Sequence, residues 1–224
     1  MRILYDFMKE CRAEAILDKE KEDYLEFAEE LFEIIEEEDA LKPAAVYKEA
    51  KVTKCGEDTV WINDIPLKNS ILPKLVSVGE SAYICITSVG PELNSCISNL
   101  DDVLLQYFGN SLMQRCLDDG LVSIVRDILA NEEEKDRKEH FVQVIPGIQG
   151  YCEADQLSNI LKMFPEGIDK AKITVREDGV ILPLYSNVCI LYAGDGESNI
   201  PSLTADEAQR SEFIRALNKS AGHV

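Results

Sequence analysis

The residues able to carry chemistry are few once their positions are weighed. Pro146 precedes Gly147-Ile148-Gln149-Gly150, whose glycines stand three apart. A turn of that composition can aim backbone N–H and C=O groups at a ligand, or can simply reverse the chain before a helix. It lacks the third glycine of G-x-G-x-x-G, so it is not a dinucleotide fingerprint. The only histidines are His140 and His223, the second next to last in the chain, which leaves poor material for a nucleophile–histidine triad. Seven cysteines, Cys11, Cys55, Cys85, Cys96, Cys116, Cys152 and Cys189, contain no C-x-x-C, and a zinc site would have to gather distant ligands. Carboxylates occur throughout, so none can be singled out as an acid–base pair without a spacing in three dimensions.

Composition narrows the classes further. The chain has 224 residues, 46% hydrophobic and 29% charged, which is enough for a real core and speaks against wholesale disorder. Forty-two Asp and Glu against 23 Lys and Arg leave a net charge of -19, and a polyanion of that strength is repelled by phosphate backbones. No apolar run approaches the roughly 18 residues of a spanning helix. The odd, scattered cysteines suit free thiols in a cytoplasmic protein rather than a disulfide frame.

The elements that must position any site follow from periodicity. Residues 18–41 read as an amphipathic helix with Tyr24, Ala28, Leu31, Phe32 and Ile35 on one face, stopped by Pro43. Its eleven carboxylates between positions 20 and 39, against the single Lys21, read as a solvated face or as a docking surface for a basic partner. AAVYKEAKV and TVWI form a hairpin around Cys55-Gly56-Glu57-Asp58, with Gly56 free to take positive φ. A loop with a short helix between Pro66 and Pro73 follows. SAYICITSVG reads as a buried strand ending at Gly90, and Pro91 opens a helix bearing Leu93, Cys96, Ile97 and Leu100. The helical region from Asp101 to Leu129 is expected to pack closely at Gly109 and to divide at Gly120. After a short β-like run at residues 140–145, a helix bearing Leu157, Ile160, Leu161 and Phe164 is closed by Pro165 and Gly167. Two strands surround Glu177-Asp178-Gly179, the second made irregular or confined to an edge by Pro183. A last helix is expected from Ala205 to Asn218. Long helices alternating with hairpin-like pairs, without a βαβ repeat, indicate an α+β fold.

In this order the features resemble a family, the reactivation domain of cobalamin-dependent methionine synthase and its stand-alone relatives. Ser88-Val89-Gly90, with Leu93 nearby, is similar to the family's T-I-G strand end, and LLQYFGNSLMQRCLDD to its next helix. Pro146-Gly147, Tyr151 and Gln156 resemble the segment R-x-S-P-G-Y-x-x-W-x-L-x-x-Q, with the same ten-residue interval from proline to glutamine. VREDGVILPLYSN is similar to L-T-E-S-G-M-M-x-P-x-x-S-V and shares Glu177, Gly179, Pro183 and Ser186. The match spans roughly residues 75–195.

The resemblance implies a curved antiparallel or mixed sheet with packed helices, and three regions. Residues 1–74 would form an N-terminal helix and hairpin packed on the main domain, 75–200 the activation-domain-like core, and 201–224 a C-terminal helix. It implies binding of S-adenosylmethionine through Gln143, Pro146, Gly147, Ile148, Tyr151, Glu177 and Ser186, with Pro146 to Tyr151 turning at the mouth of a cleft. It also implies a role as accessory to a corrinoid-dependent methyltransferase, whose cobalamin a separate corrinoid-binding protein carries and which is methylated reductively. Two positions depart from the pattern: Gln143 stands where the family has arginine and Ile148 where it has tyrosine, unless Gly150-Tyr151 takes over that role. Gln143 offers hydrogen bonds but no charged fork for a carboxylate. The alternatives are a non-catalytic corrinoid-protein binding or regulatory domain with a decayed pocket, and an acidic interaction protein that uses the first helix.

Overall fold

The computed structural model describes residues 18–69, 72–131, 140–147 and 154–194. The first element is helix α1, Asp18–Glu37. It ends before the expected residue 41, because Asp39 turns left-handed (φ 47°) and the Ala40 N–H closes back on the Ile35 carbonyl at 3.0 Å. Strands β1 (Ala44–Cys55), β2 (Thr59–Ile62) and β3 (Ile65–Lys68) follow as a meander. At the β1–β2 turn Gly56 does not adopt positive φ as expected. It is needed for closeness, since a Cβ there would stand 3.2 Å from the Thr59 oxygen and 3.3 Å from the Trp61 ring.

β3 itself replaces part of the expected loop. Asn63 and Asp64 both take positive φ (46° and 64°), the requirement of a two-residue hairpin turn whose twist matches the strands. Pro66 is tolerated because β3 is the outermost strand. The Asn69 side chain then accepts the Leu72 N–H at 2.7 Å and starts the short helix α2 (Leu72–Leu75).

β4 (Ser81–Ser88) is followed by α3 (Gly90–Ser98), with Pro91 in its first turn as expected. Gly90 has φ +84°, and a Cβ there would lie 2.8 Å from the Lys42 carbonyl oxygen, so the residue must be glycine on two counts. α4 (Val103–Asn131) begins where the Asp102 carboxylate accepts the N–H groups of Leu104 and Leu105. It runs 29 residues without dividing at Gly120. A single glycine costs a helix only about 1 kcal/mol relative to alanine. Here it lets α4 lie against the sheet, where an added Cβ would be 3.2 Å from Thr87 and 3.4 Å from Ala45. Gly109 permits close packing as expected, since a Cβ there would reach within 2.5 Å of Ile97.

β5 (His140–Val144) leads to the turn at Pro146-Gly147, and a 3-10 turn (Ala154–Gln156) leads into α5 (Leu157–Met163). Pro165 does not simply close this helix. It opens α6 (Pro165–Lys170), where its missing N–H has no partner to lose. β6 (Thr174–Val175) and β7 (Ile181–Leu182) form a small hairpin, and β8 (Ser186–Gly194) completes the chain as described. The proline effect therefore falls between strands. Leu182-Pro183 is a cis peptide that separates β7 from β8, and β8 itself lies centrally between β4 and β5. The expected helix from Ala205 to Asn218 and the residues before Asp18 lie outside the described residues.

The six strands run in the order β3-β2-β1-β4-β8-β5, antiparallel throughout. β1 pairs with β4 over Ala44–Lys51 and with β2 over Val52–Cys55, with an irregularity between Val52 and Lys54 where the ladder bends. On one side Ala82, Ile84, Ile86, Val144, Val188 and Ile190 pack against Leu157, Ile160, Leu161 and Phe164 of the α5–α6 region. On the other side Tyr83, Cys85, Phe141, Cys189 and Leu191 meet Leu121, Ile124, Val125 and Ile128 of α4. A third cluster joins the first half of α4 to α3 and to Leu31 and Ile35 of α1, with Phe32 half-buried beside them. The result is a curved antiparallel sheet with packed helices, the α+β architecture expected from the sequence.

Candidate functional site

The alternation of side chains along β5 decides which residues can meet. Phe141 packs on the α4 side and Val144 on the other, each fully buried, and burial of such a side chain contributes about 1.5–3 kcal/mol. β5 is thereby locked against β8, with Val144 opposite Ile190, and the chain leaving it reaches the first residues of β8. There a cleft of about 310 Å³ opens between the end of β5, the start of α5, the β6–β7 hairpin and the first residues of β8.

Four pieces of chain wall it. The end of β5 contributes Ile145 and Pro146, and the start of α5 contributes Ala154 and Leu157. The β6–β7 hairpin contributes Gly179, Val180 and Ile181, while Leu184, Ser186, Asn187 and Val188 come from the approach to β8. Among the described residues the lining side chains are apolar apart from Ser186 and Asn187, and exposed backbone adds further polar surface. Two glycines with left-handed φ border it, Gly147 at +87° and Gly179 at +83°. A Cβ at Gly179 would meet nothing within 4 Å, and one at Gly147 only the Ala154 Cβ at 3.8 Å. Backbone therefore lies bare beside the cleft at two places.

Hydrogen bonds fix the walls. The Ser186 hydroxyl lies 3.1 Å from the Ser88 hydroxyl, which accepts the Gly90 N–H at 3.1 Å, and the Val89 N–H bonds to the Tyr185 carbonyl. The start of β8 is thus tied to the β4–α3 junction. In the hairpin the Arg176 N–H bonds to the Val180 carbonyl and the Asp178 carboxylate accepts the Val180 N–H. The Arg176 guanidinium is held by Asp178 at 2.9 Å. Nearby, Lys172 holds the Glu92 carboxyl below the usual glutamate range by a hydrogen bond of 2.9 Å.

The expected site residues divide accordingly. Pro146 and Ser186 line the cleft, and Gly147 adjoins it next to Pro146. Gln143 is half-buried on β5 opposite Leu191, on the strand face of Phe141, and is not among the described lining residues. Glu177 is exposed at the hairpin tip beside Arg176 and Asp178, outside the lining. Ile148 and Tyr151 lie outside the described residues, as does the stretch of the Pro146–Tyr151 turn beyond Gly147. Gln156 does not reach the cleft either. Its side-chain oxygen accepts the Lys68 N–H of β3 at 3.0 Å. Leu157, Leu184, Asn187 and Val188 were not singled out by the sequence. Apolar lining residues carry the same periodic signal as core residues, which hides them.

Described residues include no cluster of His, Cys, Asp or Glu able to hold a metal ion, and no helix long and apolar enough to cross a membrane. No family model matches the chain, and comparison with curated proteins yields no match either. Among solved structures, the crystal structure of the MetH reactivation domain bound to AdoHcy is similar over 88% of this chain and 74% of that one, with a TM-score of 0.54 and 11% sequence identity. At that identity the likeness speaks for architecture alone: the chain has the fold of the MetH reactivation domain.

Proposed function

We propose that this protein binds S-adenosylmethionine in the cleft between the end of β5, the β6–β7 hairpin and the start of β8. In this reading it serves as accessory to a corrinoid-dependent methyltransferase. The observation that carries the reading is the cleft itself, on a fold shared with a domain whose structure holds AdoHcy. Its mostly apolar side chains, with Ser186, Asn187 and the bare backbone at Gly147 and Gly179 as polar groups, fit the adenosyl part of the ligand, where apolar side chains with a few polar groups are the usual arrangement. Pro146, Gly147 and Ser186 are the expected residues we place at the ligand. Gln143 and Glu177 would act from beyond the described lining, and Ile148 and Tyr151 remain expected contacts outside the described residues.

When bound, the ligand supplies an activated methyl group on a sulfonium. The chain's own contribution is positional. Ile145, Leu157, Ile181 and Val188 exclude water from one side of the nucleoside, while the rigid Ser186–Ser88–Gly90 link keeps that wall in place. Such orientation lowers the barrier without an acid or base. The acceptor would be a cobalamin on a partner protein, brought to the open side of the cleft.

Isothermal titration tests the reading. S-adenosylmethionine should bind saturably at micromolar to low millimolar concentration. Gly147→Val should weaken binding at least tenfold by placing a branched side chain where the backbone is bare. Because φ at Gly147 is +87°, the variant's fold must be checked by its melting temperature and circular dichroism. Absence of saturable binding to the wild type at millimolar ligand would favour the decayed-pocket alternative.

A further inference from the structure

We infer that the first half of α4 is a docking face for a second protein, and that it takes an amphipathic helix of that protein whose apolar stripe is flanked by lysine or arginine. It stands apart from the cleft, since none of the residues concerned lines it.

A helix face that meets only water ordinarily presents charged side chains to it. Residues 103–114 of α4, VLLQYFGNSLMQ, carry no charge at all in a chain of which 29% is charged. The inward side of this stretch is accounted for by Leu105, Leu112 and Met113, which pack in the cluster with α3 and α1, and by Gly109 against Ile97. The outward side is apolar too. Val103 is 77%, Leu104 48% and Tyr107 60% exposed, three large apolar residues within five positions, which makes a patch rather than scattered single exposures. Asn110 and Gln114 continue the exposed stripe, which extends about 17 Å from Val103, or three turns. Tyr107 stands edge-on to Phe108 with ring centroids 5.9 Å apart, so an aromatic anchor is already held in place.

Charge identifies the occupant. Phe108 in turn stacks on Phe27 of α1 at 6.4 Å, which sets the patch beside the acidic helix. On α1 the exposed Glu29, Glu30, Glu33, Glu36 and Glu37 have no ion-pair partner among the described residues, and neither have Asp101 and Asp102 at the start of α4. An apolar centre with an acidic border is complementary to a surface that is apolar at its centre and basic at its edge. A second copy of this chain does not supply that, because it brings its own net charge of -19 and the same acidic border. The stripe is straight and three turns long, the shape that receives another helix lying along it with side chains interleaved at i, i+3 and i+4. Three turns of one helix fall short of the roughly 800 Å² per partner of a standard interface, so the complex should be micromolar and transient.

The probe is a fluorescein-labelled peptide of about 14 residues, leucine and lysine only, patterned as an amphipathic helix and titrated with the full chain by anisotropy at about 150 mM salt. It should bind with a micromolar Kd, and the same peptide with every leucine replaced by alanine should bind at least tenfold more weakly. Val103→Glu and Tyr107→Glu separate docking from mere attraction. Each makes the chain more acidic, so a complex held by charge alone would hold or tighten, whereas docking on the patch should lose at least tenfold. Both positions are exposed, and glutamate at the first residue of a helix is favoured by the helix dipole, so circular dichroism and melting temperature should be unchanged. No saturable binding of the leucine–lysine peptide at about 1 mM, equal binding of the alanine peptide, or wild-type affinity in both variants would overturn the inference. So would a wild-type dimer in sedimentation that Tyr107→Glu dissociates, since it would give the face to a second copy.

Discussion

At the scale of single residues the thiols are governed by burial. Cys85 and Cys189 face each other across β4 and β8 beneath α4, while Cys96 and Cys116 sit in the helical cluster. Burial, reinforced by the negative charge of Glu38 at Cys96 and of Asp119 at Cys116, pushes both of those thiols up to about 11. Burial also raises Cys85, helped by Cys189. The sign follows from which state ionises first. Above about pH 8.5 the unfolded chain releases thiol protons that the folded chain retains, so the unfolded state gains and stability falls as pH rises. The urea midpoint should therefore drop between pH 8 and pH 10, by an amount equivalent to about 3 kcal/mol from Cys96 and Cys116 together. In Cys116→Ala the drop over the same interval should be smaller, whatever the variant's starting stability. An equal drop in both proteins would assign the pH dependence to other groups. At pH 8, peptide-resolved alkylation should leave Cys85, Cys96, Cys116 and Cys189 unmodified until urea is added.

At the scale of elements, the outer edge of β3 is covered by side chains rather than by another strand. Gln156 accepts the Lys68 N–H at 3.0 Å, and the Asn159 amide donates to the Pro66 carbonyl at 3.2 Å. Two backbone groups of an edge strand are thereby satisfied from α5 and the turn before it, which also anchors the helix that walls the cleft. Gln156→Ala and Asn159→Ala should each lower stability by about 1 kcal/mol in urea denaturation, near the usual net worth of a hydrogen bond. The double variant should also expose β3 to pairing with other chains, seen as concentration-dependent light scattering. Unchanged stability together with clean monodispersity would show that water replaces both contacts at no loss.

At the scale of the whole molecule, net charge dominates pairwise charge. Several exposed ion pairs exist, such as Lys48–Glu166 at 2.7 Å and Lys172–Glu92 at 2.9 Å, and each of this kind contributes about 0–1 kcal/mol. Against them stands the mutual repulsion within a chain of net charge -19, with Glu29, Glu30, Glu33, Glu36, Glu37 and Glu38 along one helix and its end. Repulsion summed over many charges outweighs a few solvated pairs, and salt screens it. The melting temperature should rise by a few degrees between about 20 mM and 500 mM sodium chloride, where the Debye length shrinks several-fold. A fall instead would mean that the ion pairs outweigh the repulsion. The same charge favours a partner with a basic rim for any docking at the cleft.

The amino-acid sequence alone determined the elements and their class. Apolar periodicity placed α1, α3 and β4, the small side chain of Gly109 announced close packing, and the order of hairpins and helices implied an α+β chain. These are local signals, set by neighbours a few positions apart. Local reading failed where a distant partner decides the outcome. Gly120 stays inside α4 because Thr87 and Ala45 lie against it, Pro66 sits in a strand because nothing lies beyond β3, and Pro183 separates β7 from a central β8. The candidate site shows the same division. Pro146 and Gly147 were legible as turn residues and Ser186 came only from the family resemblance, but Gln143 lies on the strand face of Phe141 outside the described lining, and Leu157, Leu184 and Val188 give no signal that separates a cleft wall from the core. Whether an apolar residue fills a core or lines a cleft depends on what faces it across the fold, and that is fixed only when β5, the hairpin and β8 come together.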